Sequence, residues 1–284
     1  MNARPPLRSF GQVFDGIATE YDAHRPGYPA ELVDAALARH AGETVVEVGC
    51  GTGKLTELLA ARDLRVDAVD PGPSMIEVAK RRVGDAANVR FHVARFEDVD
   101  LPAGAYSALF SATAFHWVDP RVGWRKAAAL LEPGGVLALL MHQHVRDEQS
   151  DEQERAFRSI LRTYAPEVEE TLPRLRALDE LLAGAEARRA NASTIWDSLM
   201  GHAHDLSVPE AAELFTDVEL TTTVEKIEQT TDELWAQFRT TSLYFRIDPS
   251  RRAAFEADDR RNLEGFGGRL TSSQAAILMT ARRV

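Results

Sequence analysis

The apolar, β-branched run Thr44-Val45-Val46-Glu47-Val48 passes without a spacer into Gly49-Cys50-Gly51-Thr52-Gly53 and then into the helical pattern of Lys54–Arg62. A strand that turns directly into a helix through three glycines constrains the fold more than any other feature of the chain. Glycine permits the tight geometry and the close approach of another group, and the first turn of the following helix carries unpaired N–H groups that suit an anionic or polar ligand. A second strand, Arg65–Asp70, ends seventeen residues past Gly53 in Asp70, a carboxylate of the type that accepts from both hydroxyls of a ribose. The two signals together point to an adenosine-containing ligand. A ligand-free structural turn is the alternative for the glycines alone. The dinucleotide fingerprint is a second alternative, but it wants glycine at positions one, three and six, where this turn has one, three and five with Lys54 sixth.

Short apolar runs and helical patterns alternate from Glu43 to about Met141, which reads as an α/β core with a parallel sheet wrapped by helices. Further strands are predicted at Val89–Ala94, Ser107–Ala112 and Gly135–Met141, with helices at Ser74–Val83 and Arg121–Leu131. Glu132-Pro133-Gly134-Gly135 reads as a helix-turn-strand junction. From Asp147 to about His204 the sequence becomes charged and helical, with Leu172, Leu175, Leu178, Leu181 and Leu182 at helix spacing, and reads as an insertion. Val218–Ile227 and Ala275–Val284 are expected to be strands that resume the sheet, and Thr230 with Glu233 forms a capping box before a helix through Trp235 and Phe238.

Composition narrows the partners. The 284 residues are 44% hydrophobic, enough for a substantial core, and 44 Asp and Glu against 33 Lys and Arg give a net charge of -11. That charge repels a phosphate backbone, so nucleic acid is not an expected partner. Cys50 is the only cysteine, which excludes an intrachain disulfide and a cysteine zinc site and fits a reducing compartment. Neither a signal peptide nor an apolar run of membrane-spanning length is legible, Met1–Phe10 included, and the expected location is cytoplasmic, as a monomer or homodimer.

With these residues in place the sequence resembles the class I S-adenosylmethionine-dependent methyltransferases, in particular the small-molecule group of trans-aconitate methyltransferase-like (methyltransferase type 11) proteins. Glu47 through Gly53 resembles the first motif, Asp70 the acidic residue of the second strand, Ala94-Arg95-Phe96-Glu97 the adenine-side loop, and Leu131–Gly135 the turn into the fifth strand. Phe14-Asp15, Tyr21-Asp22, Arg25-Pro26-Gly27-Tyr28-Pro29, Ala114-Phe115-His116-Trp117 and Arg239-Thr240-Thr241-Ser242 resemble the narrower group. The resemblance implies a Rossmann-like seven-stranded sheet with helices on both faces. It also implies four stretches: a helical cap over 1–42, a cofactor-binding core over 43–146, a helical lid over 147–206 and the remainder of the core sheet over 207–284. S-adenosyl-L-methionine is the implied cofactor, S-adenosyl-L-homocysteine its product, and a small molecule the acceptor, with oxygen favoured over nitrogen or carbon.

The resemblance also places site residues. Glu47, Gly49, Cys50, Gly51, Thr52 and Gly53 belong to the cofactor turn, with Asp70 on the ribose and Pro71 and Met75 beside adenine. Ala94, Arg95 and Phe96 close the adenine side, and Ser111 and Ala112 lie under the sulfonium. His116 is expected as a base or acceptor-orienting group, an imidazole suiting proton removal near neutrality, with a plain loop histidine as its alternative. Tyr21, Arg25, Phe115, Trp117, His142 and Trp196 are expected at the acceptor or lid, Arg25 by pairing with a carboxylate, and only one of Phe115 and Trp117 in contact with acceptor. The pairs His142/His144 and His202/His204 have ligand-like spacing, but no acidic pattern completes a metal site and none is assigned. A nicotinamide-dependent oxidoreductase and a noncatalytic S-adenosylmethionine-binding module are the competing functional readings.

Overall fold

The computed structural model describes residues 13–39, 42–202 and 205–284. Seven strands form one sheet: β1 (Thr44–Val48), β2 (Arg65–Asp70), β3 (Val89–Val93), β4 (Tyr106–Ala112), β5 (Leu131–Val145), β6 (Phe215–Thr230) and β7 (Arg269–Arg283). Their order is β3-β2-β1-β4-β5-β7-β6, with the first five parallel and β7 antiparallel to both neighbours. The chain runs outward from β1 to β3 and then returns to the other side of β1 with β4. A crevice opens where the order reverses, at the carboxyl ends of β1 and β4.

The helices are α1 (Ala18–His24), α2 (Ala30–Leu37), α3 (Lys54–Ala60), α4 (Pro73–Val83), α5 (Pro120–Leu130), α6 (Ser150–Tyr164), α7 (Pro166–Glu169), α8 (Leu178–Glu186) and α9 (Ala192–Leu199), followed by α10 (Ala211–Leu214), α11 (Thr231–Phe238), α12 (Ser242–Arg246) and α13 (Pro249–Gly265). None is long and apolar enough to cross a membrane. Successive side chains of a strand point to opposite faces, and the sheet is buried on both. Val45, Ala108 and Phe110 pack with Leu32 and Val33 of α2, Leu55 and Leu59 of α3, and Ile76 of α4. Val46, Val48 and Leu109 pack on the other face with Trp124 and Ala127 of α5 and Trp196 of α9. Residues 30–37, expected in the cap, are therefore part of the core layer, while residues 1–12 of that stretch lie outside the described residues.

The central strands agree with the sequence expectation to within a residue, whereas the last three are much longer than expected. Strand β5 starts at Leu131, which pairs with Tyr106, and its Glu132–Gly135 segment bulges before Val136 pairs with Ala108, Gly134 taking φ 77°. Proline and glycine there mark a bulge inside a strand and not its boundary. Strand β6 is an edge, half solvated along Glu219–Glu228, so its ends lack the apolar signal that revealed β1.

The lid stretch does not pack as one body. Leu172 and Leu175 sit in irregular backbone around Pro173, which interrupts the leucine spacing, and the helix begins only at Leu178. Helices α8 and α9 join the sheet core, whereas α6 and α7 pack with α11 and α13 in a separate aromatic cluster. There Phe255 stands 5.6 Å from Trp235 and 6.0 Å from Phe157, ring centre to ring centre.

Asp259 of α13 borders this cluster at 6% exposure. Burial pushes its carboxyl up to about 6 from 3.8, against partial compensation from the side chains of Trp235, Asn262 and Arg260. A raised carboxyl favours the folded state most at pH below about 4, and that contribution is lost as the pH rises through about 6. At about 1.4 kcal/mol per unit, Asp259→Asn should stabilise the protein by up to about 3 kcal/mol at pH 8 and change little at pH 4. Denaturant unfolding of both proteins across that range checks the sign.

Candidate active site

The three glycines of the β1 turn do three different things. Gly49 (φ 71°) and Cys50 both donate their N–H to the Val69 carbonyl, at 2.8 and 3.1 Å, which bends the chain sharply over the end of β2. A Cβ on Gly49 would stand 2.2 Å from the Ala114 Cβ, so the turn after β1 and the exit of β4 are in direct contact. A Cβ on Gly53 (φ 82°) would stand 3.0 Å from Ala79 of α4, so glycine there lets α3 and α4 pack closely. Gly51 (φ 53°) meets nothing within 4 Å and leaves its backbone open to the crevice. Asp70 accepts from the Gly51 N–H at 2.9 Å and from the Gly72 N–H at 2.8 Å. Burial raises its carboxyl above the usual range, and those two backbone donors oppose the rise.

A cleft of about 990 Å³ lies over this turn. Of the residues expected at the cofactor, Gly49, Gly51, Asp70, Pro71, Met75, Ala94, Arg95, Phe96 and Ala112 line it. So do Tyr21, Arg25, His116 and Trp117 from the acceptor group. His116 is 5% exposed, on the short 3-10 turn Phe115–Trp117 that follows β4, with the imidazole 4.5 Å from the Trp117 ring centre. The opposite wall is the N-terminal segment: Phe14 packs edge-on against Tyr21 and Trp117, and Asp15 accepts from Ser74 N and Met75 N at 2.7 and 3.2 Å, capping α4 from outside.

Below the glycine turn a second cavity of about 70 Å³ is bordered by Glu47, Cys50, Thr52 and His142, and shares Tyr21, Arg25, Gly49, Gly51, Ala112 and Thr113 with the cleft. Glu47 is 1% exposed and accepts from the Thr56 hydroxyl at 2.7 Å. Burial, reinforced by the Asp70 charge, pushes its carboxyl up to about 8. Arg25 donates from Nη2 to the Thr240 carbonyl at 3.0 Å, while its buried Nε has no hydrogen-bond partner among the described residues. The His142 Nε2 is 2.7 Å from the Gly27 carbonyl, so His142 belongs to the floor and not to the lid.

Four expected site residues lie elsewhere. The Ser111 hydroxyl donates to the Val48 carbonyl at 2.7 Å and ties β4 to β1 inside the sheet. Phe115 points into the core against Trp124 at 5.2 Å, leaving Trp117 as the member of that pair in the cleft. Trp196 is wholly buried in the sheet core, and the neighbouring Met200 reaches the cleft instead. Gly53 serves helix packing without lining either cavity. Sequence reasoning did not single out Thr113, Asp119 or Arg121, all of which line the cleft. Nothing in residue type marks them, since Thr113 owes its place to a left-handed φ of 52°. Among the described residues no His, Cys, Asp and Glu cluster could hold a metal, and His204 lies outside them.

Residues 45–135 match the family model of a methyltransferase domain. Over 142 residues the chain is 35% identical to an uncharacterized methyltransferase of Mycobacterium tuberculosis, covering 50% of this chain and 56% of that protein. Over 185 residues it is 30% identical to the trans-aconitate 2-methyltransferase of Afipia carboxidovorans, covering 63% of this chain and 65% of that enzyme. The chain thus spans between half and two thirds of the length of these curated relatives. A candidate type II methyltransferase from Anaeromyxobacter dehalogenans shares the fold at TM-score 0.57 and 22% identity, over 91% of this chain and 97% of its own. A candidate methyltransferase from Bacillus halodurans does so at 0.50 and 15%, over 89% and 97%.

The glycine turn after β1 offers a direct comparison. Gly49→Ala combines a forbidding contact with a left-handed φ and should cost about 3 kcal/mol or more of stability. Gly51→Ala has room for its methyl and should cost only about 1 kcal/mol while filling the open face of the turn. Thermal melts of both, with ligand titration of the second, separate packing from binding.

Proposed function

We propose that the protein is an S-adenosyl-L-methionine-dependent methyltransferase acting on a small-molecule acceptor. The observation that carries this reading is the open, left-handed Gly51 directly beside Asp70, where the strand order reverses. The residues fit the cofactor. Each oxygen of Asp70 takes one backbone N–H and keeps lone-pair capacity for a pair of ribose hydroxyls. Pro71, Met75 and Phe96 give an apolar surface for a flat base, and the unpartnered Nε of Arg25 suits a carboxylate at the border of the small cavity.

When bound, S-adenosyl-L-methionine supplies an electrophilic methyl on a sulfonium. The chain's own contribution is placement and dryness, since an acceptor atom held about 3 Å away in line needs no covalent help. Trp117, Phe14 and Tyr21 exclude water from the cleft. His116 either takes the proton of a hydroxyl acceptor or orients a carboxylate that has none to lose. Oxygen transfer is favoured by the relatives: one is named trans-aconitate 2-methyltransferase, and another, 34% identical over 97 residues, is the malonyl-[acyl-carrier protein] O-methyltransferase 1 of Ilyobacter polytropus. The latter match covers 33% of this chain and 36% of that protein, so it bears on the core alone.

Titration of S-adenosylhomocysteine and, separately, NADH into the purified protein tests the cofactor. The expected result is micromolar binding of the first only, and selective NADH binding would overturn the reading. Asp70→Asn should weaken S-adenosylhomocysteine about 10-fold to 100-fold, as loss of charged hydrogen bonds requires. His116→Ala should leave that affinity within about twofold and slow methylation of any hydroxyl acceptor by about 100-fold or more, measured as product formed at saturating acceptor.

A further inference from the structure

Thr113 is a β-branched residue with φ 52°, an outlier where only glycine and asparagine are at ease. Such backbone persists only where its surroundings over-determine it, and it gathers at functional sites. Three contacts hold this one. The Thr113 N–H donates to the Leu140 carbonyl of β5 at 2.8 Å, the Tyr28 hydroxyl donates to Thr113 Oγ1 at 2.9 Å, and the next residue, Ala114, is jammed against Gly49. Tyr28 is itself fixed: its ring stacks on His142 with centres 5.0 Å apart and planes 23° from parallel, and His142 is anchored to the Gly27 carbonyl. The left-handed step at Thr113 aims the turn that follows, sending Phe115 to the core and His116 and Trp117 to the cleft.

We propose that Tyr28 is a positioning residue for the reaction: through Thr113 it sets the His116–Trp117 turn, so that this turn is correctly placed only while the N-terminal segment is docked. The inference rests on the cleft being the cofactor site. Tyr28 follows Tyr21 and Arg25 on one continuous segment; those two residues line the cleft, and Phe14 ahead of them packs edge-on against Trp117 of the turn. Docking of the wall and aiming of the turn are thereby one event. An arrangement of this kind completes a site only when its wall is closed.

Trp117 reports on the turn without labelling. The other three tryptophans, Trp124, Trp196 and Trp235, are at most 1% exposed, so acrylamide quenching of the intrinsic fluorescence reads Trp117. Tyr28→Phe removes only the hydroxyl. It should raise the quenching constant at least twofold and weaken S-adenosylhomocysteine about fivefold to tenfold. Thr113→Val, which keeps the shape and loses the acceptor, should do the same. Thr113→Asn, which tolerates a left-handed φ and offers a side-chain oxygen, should stay within about twofold of the parent in both measurements. If Tyr28→Phe and Thr113→Val lower the melting temperature but leave quenching and affinity unchanged, Tyr28 is only structural and the proposal is wrong. Should the parent protein fail to bind S-adenosylhomocysteine, the methyltransferase reading falls, and the quenching comparison alone decides whether Tyr28 sets the turn.

Discussion

The contact between Gly49 and Ala114 is the constraint on which the rest of the site depends. It brings the turn after β1 against the exit of β4 with no room for a single methyl, so the two strand ends cannot move independently. Everything that faces the cleft follows from it. Gly51 stands open because Gly49 has already bent the chain over Val69, and Asp70 reaches the Gly51 N–H because that bend ends beside β2. On the other side, Ala114 starts the turn that carries His116 and Trp117. The topological crevice is generic to parallel sheets, whereas its closed packing at this point is particular to these residues.

How much of this was legible depended on whether residue type or tertiary geometry decided each position. The glycine turn and Asp70 were readable because φ beyond zero and a strand-end carboxylate restrict the amino acid to very few choices. Strand β1 was readable to the residue because burial on both faces makes Val45, Val46 and Val48 apolar on either side of it, with Glu47 the one exception. The same logic explains the failures. Phe115 and Trp196 are aromatic, and an aromatic residue serves a core as readily as a pocket, so type alone could not sort Phe115 from Trp117 or Trp196 from Met200. Ser111 has a hydroxyl that a ligand could use, yet the Val48 carbonyl claims it, a partner 63 residues away. Thr113 is ordinary as a residue and unusual only as a conformation.

The buried Glu47 shows a tension between fold and site. An acid in the middle of an apolar strand, with one hydroxyl partner and a second carboxylate nearby, is neutral at pH 7 when its carboxyl sits at about 8. A hydrophobic residue there would pack at least as well and avoid the desolvation cost. Glu47 instead borders the small cavity, which Arg25 and Lys54 also line and where the open backbone of Gly51 lies alongside. Lys54 is likewise displaced from its usual range, its ammonium pushed down by burial while Asp22 pulls it back up. The floor of the site is thus a partly desolvated patch in which burial moves an acid up and a base down from their usual ranges, a common property of binding centres.

The N-terminal segment determines how that patch meets solvent. Its charged groups are spent on the core: Asp15 caps α4, Asp22 accepts from Arg82 at 2.7 Å and lies 3.7 Å from Lys54, and Arg25 donates to Thr240. Single hydrogen bonds and partly exposed ion pairs of this sort contribute on the order of 1 kcal/mol each, so no single tether holds the segment. The docked state therefore rests on several weak contacts and on the burial of Phe14, Tyr21 and Ala18 against Met75 and Val78 of α4. The stretch from Phe14 to Arg25 can release without unfolding the sheet beneath it, because its apolar residues pack on α4 and not in the two core layers, where Tyr28 is the segment's contact. The rigid half of the site is the sheet, the releasable half is the stretch from Phe14 to Arg25, and Tyr28 and Thr113 lie on the line between them.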